Sequence, residues 1–324
     1  MNRLRAYRAL EEISQEELGD LLGLSPQMIS AVEGGRRSFV GDLGVLGYAP
    51  DRFELPDMSE PLHRQKASTK VTTRRRAQEL LRLAGEVFTE LRGRTEKVPP
   101  QSVERLTAPH TTQELEDLAV ETRYLLRQEP EGPIRNLTAA VERAGVCVVP
   151  IVNLEGIDGL SSWVDGVPVI GISPTMPGDR FRLTLTHELA HLTFHLRKSE
   201  TSEREANRFA GALLFPQAEF DVAMTSRPVL RDFIALKSSW GVSVAALVYR
   251  AHELGHIDDQ RYRALQIQMS KWRRSEPAPF DPVHGELFGS VVAANGGVEK
   301  VAKDIGMNRK HLRDLCSWHH LRPA

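Results

Sequence analysis

The segment that most constrains this chain runs from Asp179 to His191 and contains neither glycine nor proline. It reads Asp-Arg-Phe-Arg-Leu-Thr-Leu-Thr-His-Glu-Leu-Ala-His, and we expect it to form one helix. Because residues four apart lie on nearly the same face of a helix, His187 and His191 can direct both imidazoles at one point. Two imidazoles that converge from one helix are typical of a site for a divalent metal ion.

Glu188 follows His187 and projects about 100° away from it around the helix. A carboxylate beside a metal ion can take a proton from water that the ion has acidified, from a pKa near 16 to about 7. The resulting hydroxide attacks a peptide carbonyl. The pattern therefore predicts a zinc peptidase, with Glu188 as general base and His187 and His191 as metal ligands, although manganese or another divalent ion would accept the same ligands.

A third metal ligand has to come from another segment, because catalytic zinc usually takes three protein ligands and leaves the fourth position for water. A second predicted helix, from Glu203 to Leu214, carries two acids in its first turn. Glu203 and Glu205 are both candidates, since each continues a row of apolar residues along this helix. His195 is either a capping or core residue or part of the rim of the site.

The pattern His-Glu-x-x-His occurs a second time, at residues 252–256. Gly255 stands where the end of a helix is expected, and residues 257–259 read as the start of the next one. Because His256 then lies outside the helix, it cannot share a face with His252. We therefore expect only the first copy to bind a metal ion.

The N-terminal segment contains residues typical of the starts and ends of two short helices, which a glycine turn joins. Ser14 and Glu17 form a capping box, Gly23 turns the chain, and Ser25-Pro26 starts a second helix that ends at Gly34-Gly35. Such a pair places its second helix in the major groove of DNA. The side chains expected at base edges are Gln27, Met28 and Ser30, and those expected at phosphates are Gln15, Arg36 and Arg37.

The partner of this helix pair has two interpretations. The net charge of the chain is −1, so any contact with DNA depends on a local basic patch rather than on the overall charge. Residues 38–50 contain three glycines and leave little room for further helices. A degenerate helix pair that binds protein instead of DNA is therefore the second interpretation.

Residues 112–275 resemble the ImmA/IrrE family of zinc peptidases. The resemblance rests on the stretches Gly132-Pro-Ile-Arg-Asn136, Val141-Glu-Arg-Ala-Gly-Val146, Gly159-Leu-Ser161, Thr186-His-Glu-Leu-Ala-His191, Glu205-Ala-Asn-Arg-Phe-Ala210 and Leu213-Leu-Phe-Pro216. In that family the glutamate ahead of Ala-Asn is the third zinc ligand, which implies Glu205. Known members cleave a partner helix-turn-helix repressor and release stress or mobile-element genes, and some relatives look like metabolite-binding regulators. Residues 3–37 resemble the XRE family of DNA-binding domains.

The predicted fold class is α+β. Runs of β-branched residues at 146–151, 160–164 and 167–172 predict three strands, and Val298 to Ile305 and Asn308 to Ser317 predict a late helix pair around Gly306. The domains expected are an all-α, XRE-like helix-turn-helix (1–55), a basic helical linker (56–111), a zincin-like domain with a small sheet beside the active-site helix (112–277) and a C-terminal helical segment (278–324).

These features predict a transcriptional regulator with zinc-dependent endopeptidase activity, which cleaves a partner helix-turn-helix repressor or itself. Only two cysteines occur and no eighteen apolar residues follow one another, so we expect a cytoplasmic protein that does not enter a membrane. The second hypothesis is a non-catalytic DNA-binding regulator whose zincin-like domain senses a small ligand. A protein–protein adaptor is the third.

Overall fold

A computed structural model describes residues 2–65, 69–109, 111–152, 154–195, 201–272 and 276–318, with the backbone alone at 62–65. The chain divides into two compact units. The first comprises Met1–Pro99, Val146–Ser173 and Gly285–Ala324, and the second Pro100–Gly145 and Pro174–His284. This grouping interleaves distant segments, whereas the domain bounds expected from the sequence are continuous and stay a prediction.

Helices dominate the described residues, and none of these helices is long and apolar enough to cross a bilayer. The α-helices are α1 (Arg3–Glu11), α2 (Gln15–Leu22), α3 (Pro26–Glu33), α4 (Val71–Arg92), α5 (Thr112–Leu125), α6 (Leu137–Arg143), α7 (Gly178–Phe194), α8 (Ser202–Leu214), α9 (Gln217–Ala223), α10 (Leu230–Trp240), α11 (Val244–Glu253), α12 (Asp259–Met269), α13 (Leu287–Ala294), α14 (Gly297–Asp304) and α15 (Arg309–Leu315). The strands are β1 (Leu62–Gln65), β2 (Cys147–Pro150), β3 (Ile157–Val164) and β4 (Val167–Ile172).

The sheet belongs to the first unit and has the strand order β1-β3-β4-β2. β4 pairs with β3 antiparallel and with β2 parallel. Asp165 and Gly166, with φ of 44° and 75°, form the two-residue turn between β3 and β4, because both positions need the left-handed region that Asp-Gly tolerates. The three predicted strands are thus confirmed. β1 was not predicted, because its sequence Leu-His-Arg-Gln lacks a β-branched run.

The predicted capping devices of α2 and α3 are confirmed. The Ser14 hydroxyl accepts a hydrogen bond from the Glu17 amide at 3.1 Å, and the Glu17 carboxylate accepts one from the Ser14 amide at 2.7 Å. Gly23 ends α2 with φ of 66°, and the Ser25 hydroxyl accepts from the Met28 amide at the start of α3. The helix-turn-helix therefore follows from local sequence, since each helix end satisfies its own orphan backbone groups.

The C-terminal segment completes the core beside this helix-turn-helix. Residues 38–50, whose glycines favour no further helices, contain one turn of 3-10 helix (Leu43–Leu46) and bury Leu46 and Tyr48. The Asn308 side chain donates to the Leu46 carbonyl at 2.7 Å, and the Tyr48 hydroxyl lies 2.8 Å from Nδ1 of His311. The two ends of the chain thus share one hydrophobic core, which also includes α13.

Helix α4 is a core helix of the first unit, although its basic residues suggested a linker. A continuous apolar face, including Leu81, Ala84 and Val87, is buried against the strands of the sheet. The helix approaches β3 so closely at Gly85 that a side chain there would overlap Val164. Its arginines lie around this face; Arg82, for example, bonds Glu79 and the Pro56 carbonyl.

We expect Gly85→Ala to destabilise the protein, even though alanine is the better helix former. The added Cβ would lie 2.7 Å from Cγ1 of Val164, so α4 or β3 must shift. Overpacking of this kind costs about 1–3 kcal/mol. The matched control is Gly93→Ala at the end of α4, where a Cβ meets nothing within 4 Å. Urea unfolding of both variants checks this; equal midpoints would contradict the close approach.

Candidate metal centre

Two helices of the second unit, α7 and α8, carry the site. Nearly every residue of α7 is buried, including His187, Glu188 and His191 at 0%, 0% and 3% exposure. Helix α8 packs against it with an apolar face that includes Phe209, whose ring meets that of Phe194 edge to face at 5.3 Å. The predicted helix with two histidines on one face is confirmed.

His187, His191 and Glu203 form the one cluster among the described residues that could hold a metal ion by the proximity of its ligand atoms. The two Nε2 atoms lie 3.0 Å apart. The Glu203 carboxylate lies 3.5 Å from Nε2 of His187 and 3.7 Å from Nε2 of His191. Two imidazole nitrogens and a carboxylate oxygen are a ligand set that catalytic zinc uses.

Glu205, the third ligand implied by the family resemblance, is not in this cluster. Its Oε2 lies 2.9 Å from Nε2 of His195 instead. Residues two apart on a helix project about 200° apart, so Glu203 and Glu205 cannot both face the same point. Of the two acids that spacing left open, the geometry therefore favours Glu203.

The outer nitrogens of the two clustered imidazoles are also engaged. Nδ1 of His187 lies 3.1 Å from Oδ1 of Asn207, an acceptor, so this nitrogen carries the proton. Nδ1 of His191 lies 2.9 Å from Nδ1 of His195, whose other nitrogen meets the carboxylate of Glu205. If His195 donates to Glu205, its Nδ1 accepts from His191.

The charge states of the outer pair agree with this proton arrangement. Burial lowers the pKa of His195, although the neighbouring Glu205 partly opposes this shift. Burial raises the pKa of Glu205, but hydrogen bonds from His195 and Thr201 outweigh it, so the net pKa of Glu205 is lowered. At neutral pH a neutral His195 therefore donates to an ionised Glu205.

The inner nitrogens consequently point their lone pairs at one another. With both protons on Nδ1, the Nε2 atoms of His187 and His191 are acceptors only, and they are 3.0 Å apart and buried. Two such lone pairs repel unless a cation lies between them and the nearby Glu203 carboxylate. The residues present therefore fit a divalent metal ion, and the outer hydrogen bonds orient the ligands as in known metal sites.

The second His-Glu-x-x-His sequence, at residues 252–256, is divided by the end of its helix. Helix α11 ends at Glu253, before His256. Nε2 of His252 lies 2.7 Å from Asp259, and Nε2 of His256 lies 2.7 Å from Asp221. Each imidazole thus has its own acidic partner.

Asn207 was missed as a functional residue, although its position carried a signal. Asn207 follows Glu203 by four residues, so both project from one face of α8. The pair His187 and His191 has the same spacing on α7. Two packed helices that each carry two polar side chains four residues apart can therefore bring all four together. Here His187, His191 and Glu203 form the cluster, and Asn207 accepts a hydrogen bond from His187.

The side chains predicted to contact DNA differ in accessibility. Gln27, Arg36 and Arg37 are exposed, whereas Met28 and Ser30 are half-buried. Met28 packs against the core, and Arg36 lies 3.4 Å from the Ser30 hydroxyl. Gln15 is also half-buried, and its amide donates to Glu33 at 2.8 Å.

Comparison with known protein families finds a match for two segments of the chain. Residues 141–252 match the Peptidase M78 family model, described as an IrrE N-terminal-like domain, and this range contains the whole metal cluster. Residues 4–39 match a helix-turn-helix family model. The matched ranges lie close to residues 112–275 and 3–37, where the resemblance was noted, although the first is shorter. No curated protein matches the chain significantly.

The two matches agree with the geometry of their regions, since one range holds the His187, His191 and Glu203 cluster and the other holds the capped pair α2 and α3. Residues 141–252 are therefore similar to the IrrE N-terminal-like domain of a metallopeptidase family, and residues 4–39 are similar to a helix-turn-helix.

Proposed function

We propose that this protein is a transcriptional regulator whose zinc-dependent endopeptidase activity cleaves a partner helix-turn-helix repressor, or the chain itself, and so relieves repression. The observation that carries the proposal is the cluster of two buried imidazoles and one partly exposed carboxylate, with both outer imidazole nitrogens held by hydrogen bonds. The presence of a helix-turn-helix in the same chain supports a role in transcription.

In this proposal His187, His191 and Glu203 hold the ion, and Glu188 is the general base. A bound zinc ion would acidify the attacking water and polarise the peptide carbonyl. Glu188 follows His187 on α7 and is fully buried. Its carboxylate takes a proton from the water and returns it to the amide nitrogen that leaves, which is the usual work of a positioned acid–base group.

We expect Glu188→Gln to retain the metal ion and to lose cleavage, because the amide cannot accept a proton. A general base contributes about 10²- to 10⁴-fold to rate. The measurement combines metal analysis with incubation of the zinc-loaded protein alone and with helix-turn-helix repressors encoded near its gene. Glu121→Gln, at an exposed position of α5, is the matched control.

The results separate the hypotheses. Cleavage by wild type and by Glu121→Gln, with none by Glu188→Gln, supports the peptidase. If wild type binds metal but cleaves neither itself nor any repressor, while Glu188→Gln regulates normally, the peptidase proposal fails and the ligand-sensing regulator takes its place.

We expect Glu203→Gln and Glu205→Gln to differ in zinc affinity. Glu203→Gln replaces an anionic ligand carboxylate by a neutral amide, whereas Glu205→Gln weakens the outer hydrogen bonds to His195 and Thr201. Loss of such an outer partner typically costs 10- to 100-fold in metal affinity, so Glu203→Gln should cost more than about 100-fold. Competition against a zinc chelator measures both. A larger loss of zinc affinity in Glu205→Gln than in Glu203→Gln would support Glu205, the residue implied by the family resemblance, as the third ligand.

A further inference from the structure

Residues 297–315 repeat the helix-turn-helix pattern of the N-terminus. When Gly306 is aligned with Gly23, the flanking apolar pairs also align: Ile305 with Leu22, and Met307 with Leu24. The next position is a helix-capping residue in both copies, Asn308 in one and Ser25 in the other. The late helix pair predicted around Gly306 thus has the same kinds of turn and capping residues as α2 and α3.

The turns of the two copies share backbone conformation and hydrogen bonding. Gly23 and Gly306 have φ of 66° and 63°. The Leu24 amide donates to the Gly19 carbonyl at 2.9 Å, and at the matching positions the Met307 amide donates to the Ala302 carbonyl at 2.9 Å. This six-to-one bond, with a left-handed glycine, closes a helix and reverses the chain.

The residues that hold the two helices together also correspond. Leu18, Ile29 and Val32 of the first copy are at most 1% exposed. The aligned Val301, Leu312 and Leu315 are likewise at most 1% exposed. A further helix precedes each copy, α1 in the first and α13 in the second, as in trihelical DNA-binding domains.

The solvent face of the second copy is more basic than that of the first. The side chains of Arg309, Lys310 and Arg313 are 62%, 63% and 53% exposed. They align with Pro26, Gln27 and Ser30, and the last two of these are side chains expected at base edges. In a helix-turn-helix this face of the second helix enters the major groove, so cations there meet phosphates and base edges.

The acids near these cations do not prevent such contacts. Arg309 and Arg313 share Glu299, at 3.0 and 2.9 Å, and Lys310 pairs with Glu11. Glu299 is itself 63% exposed, and ion pairs between exposed side chains are weak and screened by salt. A polyanion can therefore replace Glu299 as the partner of Arg309 and Arg313, whereas Glu11 is only 17% exposed and Lys310 reaches solvent with 63% of its side chain.

We propose that α14 and α15 form a second helix-turn-helix, which binds duplex DNA through Arg309, Lys310 and Arg313. The family match to a helix-turn-helix ends at residue 39, so this site lies outside it. The site does not depend on the metal centre or on peptidase activity.

The test measures binding of the full chain to a random-sequence 30-base-pair duplex across a series of salt concentrations. Arg36→Gln and Arg37→Gln serve as the background, so that the predicted phosphate contacts of the first copy are absent. Into this background Arg309→Gln, Lys310→Gln and Arg313→Gln are introduced together. Because each phosphate contact contributes about 0.9 to the slope of log K against log salt, we expect the slope to fall by about 2–3.

A control variant removes the same charge elsewhere. Arg127, Arg231 and Arg263 are exposed residues of the second unit, and their joint change to glutamine should leave the slope unchanged. Replacing Arg309 and Arg313 by lysine keeps the charge and should retain most of the affinity. Circular dichroism and the unfolding midpoint verify that each variant folds.

Three results would overturn the proposal. One is an unchanged slope and affinity in the triple glutamine variant, which would leave this face for a protein partner. Another is an equal loss of salt slope and affinity in the control variant, which would show that the effect depends on the overall charge of the protein and not on this face. The third is a loss in the lysine variant as large as in the glutamine variant, since that would show a structural rather than an electrostatic role.

Discussion

The packing of α7 against α8 is the contact on which the candidate metal centre depends. It buries the imidazoles of His187 and His191, and buried polar groups are costly unless each finds a partner. Helix α8 supplies such partners at three positions: Glu203 at the inner nitrogens, Asn207 behind His187, and Glu205 behind His195, which itself contacts His191. Residues 203–207 of α8 thus provide both the carboxylate of the cluster and the groups that hold the imidazoles in place.

The hydrogen bonds around His187 and His191 place the proton of each imidazole on Nδ1, on the side away from the cluster. A chain of donors runs from His191 through His195 to Glu205, and its charge states follow from burial and from the carboxylate. The consequence is a pair of inward lone pairs that a cation would stabilise. This arrangement supports metal-dependent chemistry more directly than the sequence motif does, because the second copy of the motif binds acids instead.

The first unit depends on a different contact, the packing of α15 against α1 and against the turn that contains Tyr48. His311 bonds both Tyr48 and Glu11, and the hydrogen bond from His311 is the largest of the effects that lower the pKa of Glu11 to about 2. Glu11 is therefore ionised at neutral pH and holds the imidazole of α15 beside α1. The two helix-turn-helix copies share one core, so a surface for DNA can draw on both ends of the chain.

The amino-acid sequence by itself determined what is local: the capped helices α2 and α3, the Asp-Gly hairpin, and two histidines on one face of α7. These follow from periodicities and turn conformations that span a few residues. Only the tertiary structure placed Glu203, rather than Glu205, beside the two imidazoles, gave α4 a place in the core and joined α15 to residues 46–48. Such choices depend on which faces of distant segments pack together, and contacts of that kind leave no fixed spacing in the chain.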